Sequence, residues 1–380
     1  MRPVCTTLVC VSCFAVSGSL CPSLSAGVTY HLTDLGSLGG PDSRALAVSA
    51  RGTVAGWCYT DFEETAHAYS YAIDRRGGPS TLTDLHRLGR TSAARGINAS
   101  DTVAGLTIDS NWHARATVWQ NGRTHFLSAP LDSSGAEPEA YANDINDYGI
   151  VTGNVMNNGS WQAFRSEFSS TRNTGSIESL GTLGGSMSFG NAVNNSGTIV
   201  GKSLTGQIEW TEHAFIYTRE NGMRDIGTLG GAHSSAADIS DTGIVVGSAW
   251  RSDGVSEACL YTDQSGMVGL GTLGGHSSTA CGINTAGTVV GWWSPDGYTR
   301  RAFVWADGEM FDLNNLIDPT TGWTLVEATG INDHGDIVGY GIDPDGVDRS
   351  FLLTPRNIPS PTTMSISALL LGICSRKRKR

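Results

Sequence analysis

The string Gly-Thr-Leu-Gly-Gly occurs at residues 181–185, 227–231 and 271–275, and a looser copy, Gly-Ser-Leu-Gly-Gly, stands at 36–40. The first residues of successive copies are 145, 46 and 44 apart. These separations are about three units and one unit of a repeat, and a repeat constrains a fold more than any other feature of a chain. Aligning on a Val-x-Gly or Ile-Val-Gly strand end extends it to seven anchors, Gly56, Gly105, Gly153, Gly201, Gly247, Gly291 and Gly339, spaced 44–49 residues apart. That leaves no room for an inserted domain.

Each anchor is preceded by a turn string such as Asn146-Asp-Tyr-Gly149 or Asn284-Thr-Ala-Gly287. Asn, Asp and Gly accept the left-handed backbone that a tight hairpin demands. A strand rich in small residues comes before the turn (Ala236–Ile239) and a β-branched one after it (Ile244–Val246). Behind the anchor lies a polar loop of variable length, then a third strand (His213-Ala-Phe-Ile-Tyr217, Arg301-Ala-Phe-Val-Trp305). A second turn and a fourth strand ending in the glycine string complete a unit of about 48 residues. With 49 glycines and only 16% charged residues, the chain reads as all-β with frequent turns.

A single four-stranded sheet of this length cannot bury both faces, so the units must stack. Blades of a propeller use about 40–50 residues, and solenoid coils about 20–30. The phase of the repeat favours closure: Tyr30–Leu35 is a fourth-type strand with no unit before it, and Arg349–Leu353 is a third-type strand with none after it. The expectation is a seven-bladed β-propeller of four-stranded repeats over residues 27–356, closed by pairing of the N- and C-terminal strands. A β-solenoid is the alternative. The glycine strings then read as blade-to-blade corners near the axis, where side chains do not fit. A phosphate loop is disfavoured because no Lys-Ser/Thr and no helix pattern follows.

The combination of His-Ala-Phe, Asp-Leu-Gly-Thr-Leu-Gly-Gly and Ile-Asn-x-x-Gly-x-Val-Val-Gly resembles the HAF repeat of predicted bacterial extracellular proteins, over nearly all of residues 30–355. Three units match closely. The second and third have lost the string (Leu85–Gly89 and Ser128–Leu131), and the seventh has Asn314-Asn315 instead. The resemblance implies export, not a chemistry.

The two ends agree with export. Residues 1–26 read as a secretory signal: Arg2, a mostly apolar Val4–Val16, and small residues at Ser25-Ala26 before a cut. The C-terminal residues 357–380 combine Pro359-Ser360-Pro361, an apolar run from Met364 to Cys374, and the basic string Arg376, Lys377, Arg378, Lys379, Arg380. This tail resembles the PEP-CTERM sorting signal, with Ser360 in place of the glutamate of the family pattern. The resemblance implies an exosortase-type processing enzyme beside signal peptidase, a tail transiently in the inner membrane, and a secreted or cell-surface product. The formal charge of the whole chain is −11. The first 26 residues carry one basic side chain and the last 20 carry five, with no acid in either, so the body between stands at −17. Such a body repels a phosphate backbone, which excludes nucleic acid as a partner. Its three cysteines, Cys58, Cys259 and Cys281, allow one bridge or none.

Motifs for chemistry are sparse. There is no His-Glu-x-x-His, no paired Cys-x-x-Cys and no Gly-x-Ser-x-Gly, and His67, His113 and His213 fill one repeat position, where packing is the expected role. Asp343, Asp345 and Asp348 are dense enough to suggest calcium, although a solvated loop is the plainer account of them. Most units place an aromatic in or beside the loop after the anchor glycine: Trp57, Trp112, Trp161, Trp210, Trp250 and Trp293, with Tyr59, Trp292 and Tyr298 beside them. In a closed ring these loops share a face, where rings can stack on sugars or anchor a protein. Packing between blades is the plain alternative for each. The expected function is therefore a binding or structural display module for an envelope glycan or surface protein, with no catalysis and no cofactor. An extracellular glycan hydrolase or lyase is the alternative. The central pocket separates them: convergent carboxylates suit an enzyme, and a glycine-lined or apolar channel suits display. The irregular second and third units are where the sequence points for a special site.

Overall fold

The computed structural model describes residues 28–60, 65–73, 80–131, 135–169, 175–206 and 210–357. The leader (1–26) and the sorting residues Pro359, Ser360, Pro361, Arg376, Lys377 and Arg378 lie outside the described residues. The chain is a seven-bladed β-propeller. Blades 1 to 6 span 43–84, 91–126, 140–179, 188–225, 230–271 and 277–312, each an antiparallel meander of four strands with the first strand innermost. Blade 7 takes its first three strands from Thr324–Ile331, Ile337–Ile342 and Asp348–Asn357, and its outer strand from Val28–Asp34. Val28 pairs with Asn357 and Asp34 with Phe351, so the ring closes through the two chain ends, as the repeat phase predicts. Among the described residues, the small additions are two single-turn 3₁₀ segments, Leu313–Asn315 and Pro319–Thr321.

Among the described residues, a hydrophobic cluster holds each interface between blades. The repeat motif is legible in them. A Cβ on Gly201 would collide with the carbonyl oxygen of Phe189 in the first strand and lie 3.0 Å from the Phe215 ring of the third. The same pairing sets Gly339 against Phe351 and Gly291 against Phe303. The anchor glycine and the aromatic of His-Ala-Phe are thus one device: the ring fills the space that the missing side chain leaves.

The turn strings behave as read. Gly149 N–H bonds to Asn146 O at 3.1 Å with φ +78°, and the pattern recurs around the ring. Each Asn amide then reaches sideways to the next blade, as Asn98 Nδ2 to Asn146 O (3.0 Å), Asn146 Nδ2 to Asn194 O (2.8 Å) and Asn332 Nδ2 to Ser49 O (3.0 Å). The Asn is therefore a link between blades as well as a turn residue.

The glycine string differs from expectation in place. It runs from the outer strand of one blade inward to the first strand of the next, and its tight approach is to the end of the second strand rather than to the axis. A Cβ on Gly185 would meet Leu204, and one on Gly275 would meet Ser294 O. A serine completes the corner. Ser278 Oγ donates to Gly271 O at 2.6 Å and accepts from Ala258 N–H of the preceding blade at 2.8 Å. Ser188 and Ser234 repeat both bonds. These serines are at most 3% exposed, so the two backbone groups they satisfy have no recourse to water.

Candidate functional site

Antiparallel order assigns the connections to two faces. The hairpins between first and second strands and between third and fourth strands form a turn face. The second-to-third loops and the glycine strings form the opposite, loop face. Residues at one register position in every blade therefore lie in a ring around the axis. Just inside the loop face such a position pairs Arg44 with Trp57, Thr279 with Trp292 and Glu327 with Tyr340. These pairs belong to blades 1, 6 and 7, which are consecutive once the ring closes.

They join into a single strip. The Arg44 guanidinium lies over the Tyr340 ring at 4.2 Å and 5.8 Å from the Trp57 ring, which meets Tyr59 edge-on at 5.4 Å. Tyr340 Oη donates to Glu327 Oε2 at 2.9 Å, and Arg300 Nη1 donates to the same oxygen at 2.9 Å. The Arg300 guanidinium sits over Trp292 at 4.1 Å. Arg44 Nη2 also approaches Asp348 Oδ2 at 3.5 Å. The side chains of Arg300 and Arg44 are 46% and 38% exposed, and that of Glu327 is 16% exposed. Burial and the Glu327 charge push the Tyr340 hydroxyl up to about 12, so it remains a donor at any physiological pH. Burial, and then the same carboxylate, hold the Cys281 thiol well above its usual range, so Cys281, 3.7 Å from Glu327 Oε1, is a thiol and not a thiolate.

The six aromatic positions singled out in the sequence separate into kinds. Trp57 belongs to the strip. Trp161 is a strand residue tilted against Tyr141 at 4.9 Å. Trp112 and Trp210 are each 66% exposed at loop tips, with φ of +66° and +71°, and Trp112 carries Arg90 at 4.1 Å. Trp250 is 41% exposed beside His233 at 4.5 Å. Trp293 packs into the hydrophobic cluster between blades 5 and 6. Its neighbour Trp292 is the one that faces the strip. The participation of Arg44, Arg300, Glu327 and Tyr340 is not visible from the repeat, because only ring closure makes blades 6, 7 and 1 neighbours.

Other candidates resolve into framework. Asp343 Oδ1 accepts from Asp345 N–H and Val347 N–H, both at 2.9 Å, and Asp348 faces Arg44. Of the three carboxylates considered for calcium, Asp343 thus shapes a hairpin and Asp348 pairs with an arginine, and among the described residues no group of three His, Cys, Asp or Glu converges as a metal site. His67 and His213 bond the aspartate of the fourth strand of their own blades, to Asp84 Oδ2 (3.0 Å) and Asp225 Oδ2 (2.7 Å), and those aspartates in turn hold the start of the next corner. Cys58, Cys259 and Cys281 are all free.

The axial channel is neither glycine-lined nor apolar. Each first strand bulges there, and a cavity of about 190 Å³ is lined by Arg95, Asn143, Asn191, Asp144, Asp238 and Cys281 among others. Asp144 accepts from Ile145 and Val193 N–H at 2.8 and 2.9 Å; Asp238 accepts from Ile239 and Ile283 N–H at 2.7 and 2.9 Å. Each carboxylate so ties its own strand to the next blade. Burial pushes Asp144 up to about 7, with the charge of Asp238 adding to it, and burial raises Asp238 as well. On the irregular side, a cavity of about 260 Å³ lies between Pro130, Leu131, Pro138, Met156 and Ile177, with Asn157 and Ser179 also in its wall.

No protein-family model matches the chain, and no curated protein matches it. A search of solved structures finds similar chains. The β-propeller domain of the Trilobed protease from Pyrococcus furiosus, described as having an open velcro topology, is 9% identical with a TM-score of 0.53, covering 87% of this chain and 95% of that one. TolB from Acinetobacter baumannii is 11% identical with a TM-score of 0.40, covering 88% of this chain and 65% of that one. A mutant of AofleA from Arthrobotrys oligospora, with arginines replaced by alanine, is 10% identical with a TM-score of 0.36, covering 87% of this chain and 91% of that one. The likeness to the protease domain supports the propeller fold alone.

Proposed function

We propose that the chain is an exported surface or matrix protein whose propeller is a non-catalytic binding and display module, released from its leader by signal peptidase and handled at its tail by an exosortase-type enzyme. The observation that carries this reading is the pairing of Val28 with Asn357 at the turn-face end of blade 7. Leader and tail thereby join the ring at one corner. A tail held in or near a membrane leaves the opposite face, with its aromatic loops, pointing outward to meet an envelope glycan or surface protein. The resemblances to HAF repeats and to the PEP-CTERM signal supply the export route.

The test is the intact mass of the mature protein together with its location. The expected species lacks residues 1–26 and is found outside the inner membrane, and replacement of Arg376, Lys377 and Arg378 by Gln retains an unprocessed form. A cytoplasmic protein with both ends intact would refute the reading.

A glycan hydrolase or lyase on the same scaffold has one observation in its favour, the Asp144 and Asp238 carboxylates in one channel. Against it, each already accepts two backbone N–H bonds that fasten neighbouring blades. Oligosaccharide cleavage lost in both Asp144→Asn and Asp238→Asn, with the fold retained, would establish that alternative.

A further inference from the structure

We infer that the strip formed by Trp57, Arg44, Tyr340, Glu327, Arg300 and Trp292 is a binding site for uncharged sugar residues. The inference rests on the loop face being the binding face and names its ligand class.

Three features of the strip point to such a ligand. The first is charge: Arg44 and Arg300 are matched by Asp348 and Glu327 within 3.5 Å, so the site carries no net charge. The surrounding body is strongly acidic. A polyanion gains nothing locally and is repelled at long range, while a cation meets a guanidinium at each end of the strip. The second is shape. Trp57 and Trp292 are partly exposed ring systems on either side of Tyr340, and ring faces bury the apolar C–H patches of a pyranose. The third is hydrogen-bonding capacity. A guanidinium stacked on a ring keeps its in-plane N–H groups free at the edges, and its forked donors suit two adjacent hydroxyl oxygens. Arg300 spends Nη1 on Glu327 and remains 46% exposed. Glu327 Oε2 is saturated by Tyr340 and Arg300, whereas Oε1 faces the weakly donating Cys281 thiol at 3.7 Å. That oxygen can accept a sugar hydroxyl. A vicinal diol thus finds donors from Arg300 or Arg44 and an acceptor from Glu327, between aromatic faces.

The experiment is a glycan array with the purified full chain, carrying neutral hexose, deoxyhexose and N-acetylhexosamine oligosaccharides beside uronic acid-containing and sulfated ones, followed by titration of the hits. Neutral glycans are expected to bind. Their affinity should change by less than about twofold between low and high salt, because no net charge is neutralised. Arg300→Lys keeps the charge but loses the fork and the stack, and should weaken binding by about tenfold or more. Trp292→Ala should do at least as much, and Tyr148→Ala, at a 76% exposed position of a turn-face hairpin, should leave binding unchanged. Thermal unfolding of each variant reports the fold, and Arg300→Lys, at an exposed side chain, keeps the test open if Trp292→Ala fails to fold. Hits confined to anionic glycans, a protein partner in place of any glycan, or no binding at all would overturn the inference. Neutral-glycan binding that survives Arg300→Lys and Trp292→Ala but is lost in a Trp112, Trp161 and Trp210 triple Ala variant would overturn it while leaving the loop face as the binding face. The proposed export and display stand or fall separately, on the mature mass and location.

Discussion

Blades 6, 7 and 1 and blades 2 and 3 are built from one repeat and have diverged in opposite ways. In the first arc the four-stranded frame is kept, with Asn314 bonding the Leu325 backbone in place of the glycine string and serine at the corner into blade 7, and the variable positions are filled with aromatic, guanidinium and carboxylate groups that meet across the closure. In the second the framework itself has changed. Blade 3 has Ala140 where the first strands of blades 1, 2, 4, 5 and 6 carry the bridging serine, its outer strand is only Glu178–Ser179, and the segment entering it is stitched along 175–177 by Ser128. Blade 2 fills its corner with His86, whose Nδ1 lies 2.9 Å from Ser92 Oγ and whose ring stacks on His67 at 4.0 Å. Loss of the string thus leaves a histidine–serine cluster at the corner into blade 2 and, at blade 3, a cavity lined by Pro130, Leu131, Met156 and Ile177 together with Asn157 and Ser179. A broken corner marks altered packing, whereas a site can sit wherever the four-stranded frame holds and the residues at its loop face vary.

The largest expected effect tests the intact arc. Phe351 is fully buried on Gly339 in the blade that closes the ring, and Phe351→Ala should cost about 3–5 kcal/mol by chemical denaturation. Leu131→Ala, at a 66% exposed position of the irregular arc, should change stability by less than about 0.5 kcal/mol. Equal losses would erase the distinction between the arcs. Next is the corner serine. Ser278→Ala leaves Ala258 N–H and Gly271 O without their partner, for about 2–4 kcal/mol. Ala140→Ser, which has no glycine string to bond, should gain nothing measurable. A clear gain would mean that blade 3 is an intact corner lacking only its hydroxyl.

In blades 2 and 3, stability also responds to pH. A carboxyl raised to about 7 in the folded state is protonated more readily there than in the unfolded chain. Its stabilising contribution is complete below the ordinary aspartate range near 4 and is lost as pH rises through 7, a matter of a few kcal/mol for Asp144 of blade 3. His86 acts in the opposite sense, since burial, and then its neighbour His67, lower it: its contribution is present above about 6.5 and fades as pH falls. The difference in stability between wild type and Asp144→Asn, measured from pH 4 to 8, isolates the aspartate and should shrink with rising pH. A flat difference would show that Asp144 keeps an ordinary pKa. The smallest effect concerns the exposed tryptophans. Trp210 holds φ +71°, so Trp210→Gly should be neutral or stabilise by up to about 1 kcal/mol. A loss above about 1 kcal/mol would reveal a packing role for that ring.

The number of blades, the strands in each, the turn chemistry and the way the ring closes are all written in the repeat. These are set locally: a β-hairpin turn, an anchor glycine or a strand alternation is decided within a few residues, and repetition averages out the noise of any single reading. Tyr30–Leu35 is a lone fourth strand that must pair somewhere, and that alone points to closure. Tertiary structure alone decided which variable residues meet. Arg44 and Tyr340 are nearly 300 residues apart and touch because the ends of the chain are joined in blade 7. Trp292 and Trp293 are adjacent in sequence, yet strand alternation sends one to the strip and the other into the core, a difference that depends on register. The channel carboxylates were equally hidden, since Asp144 and Asp238 reach the axis only because each first strand bulges there. A repeat announces the scaffold in every unit; the site depends on differences between units and on which of them the closed ring makes neighbours.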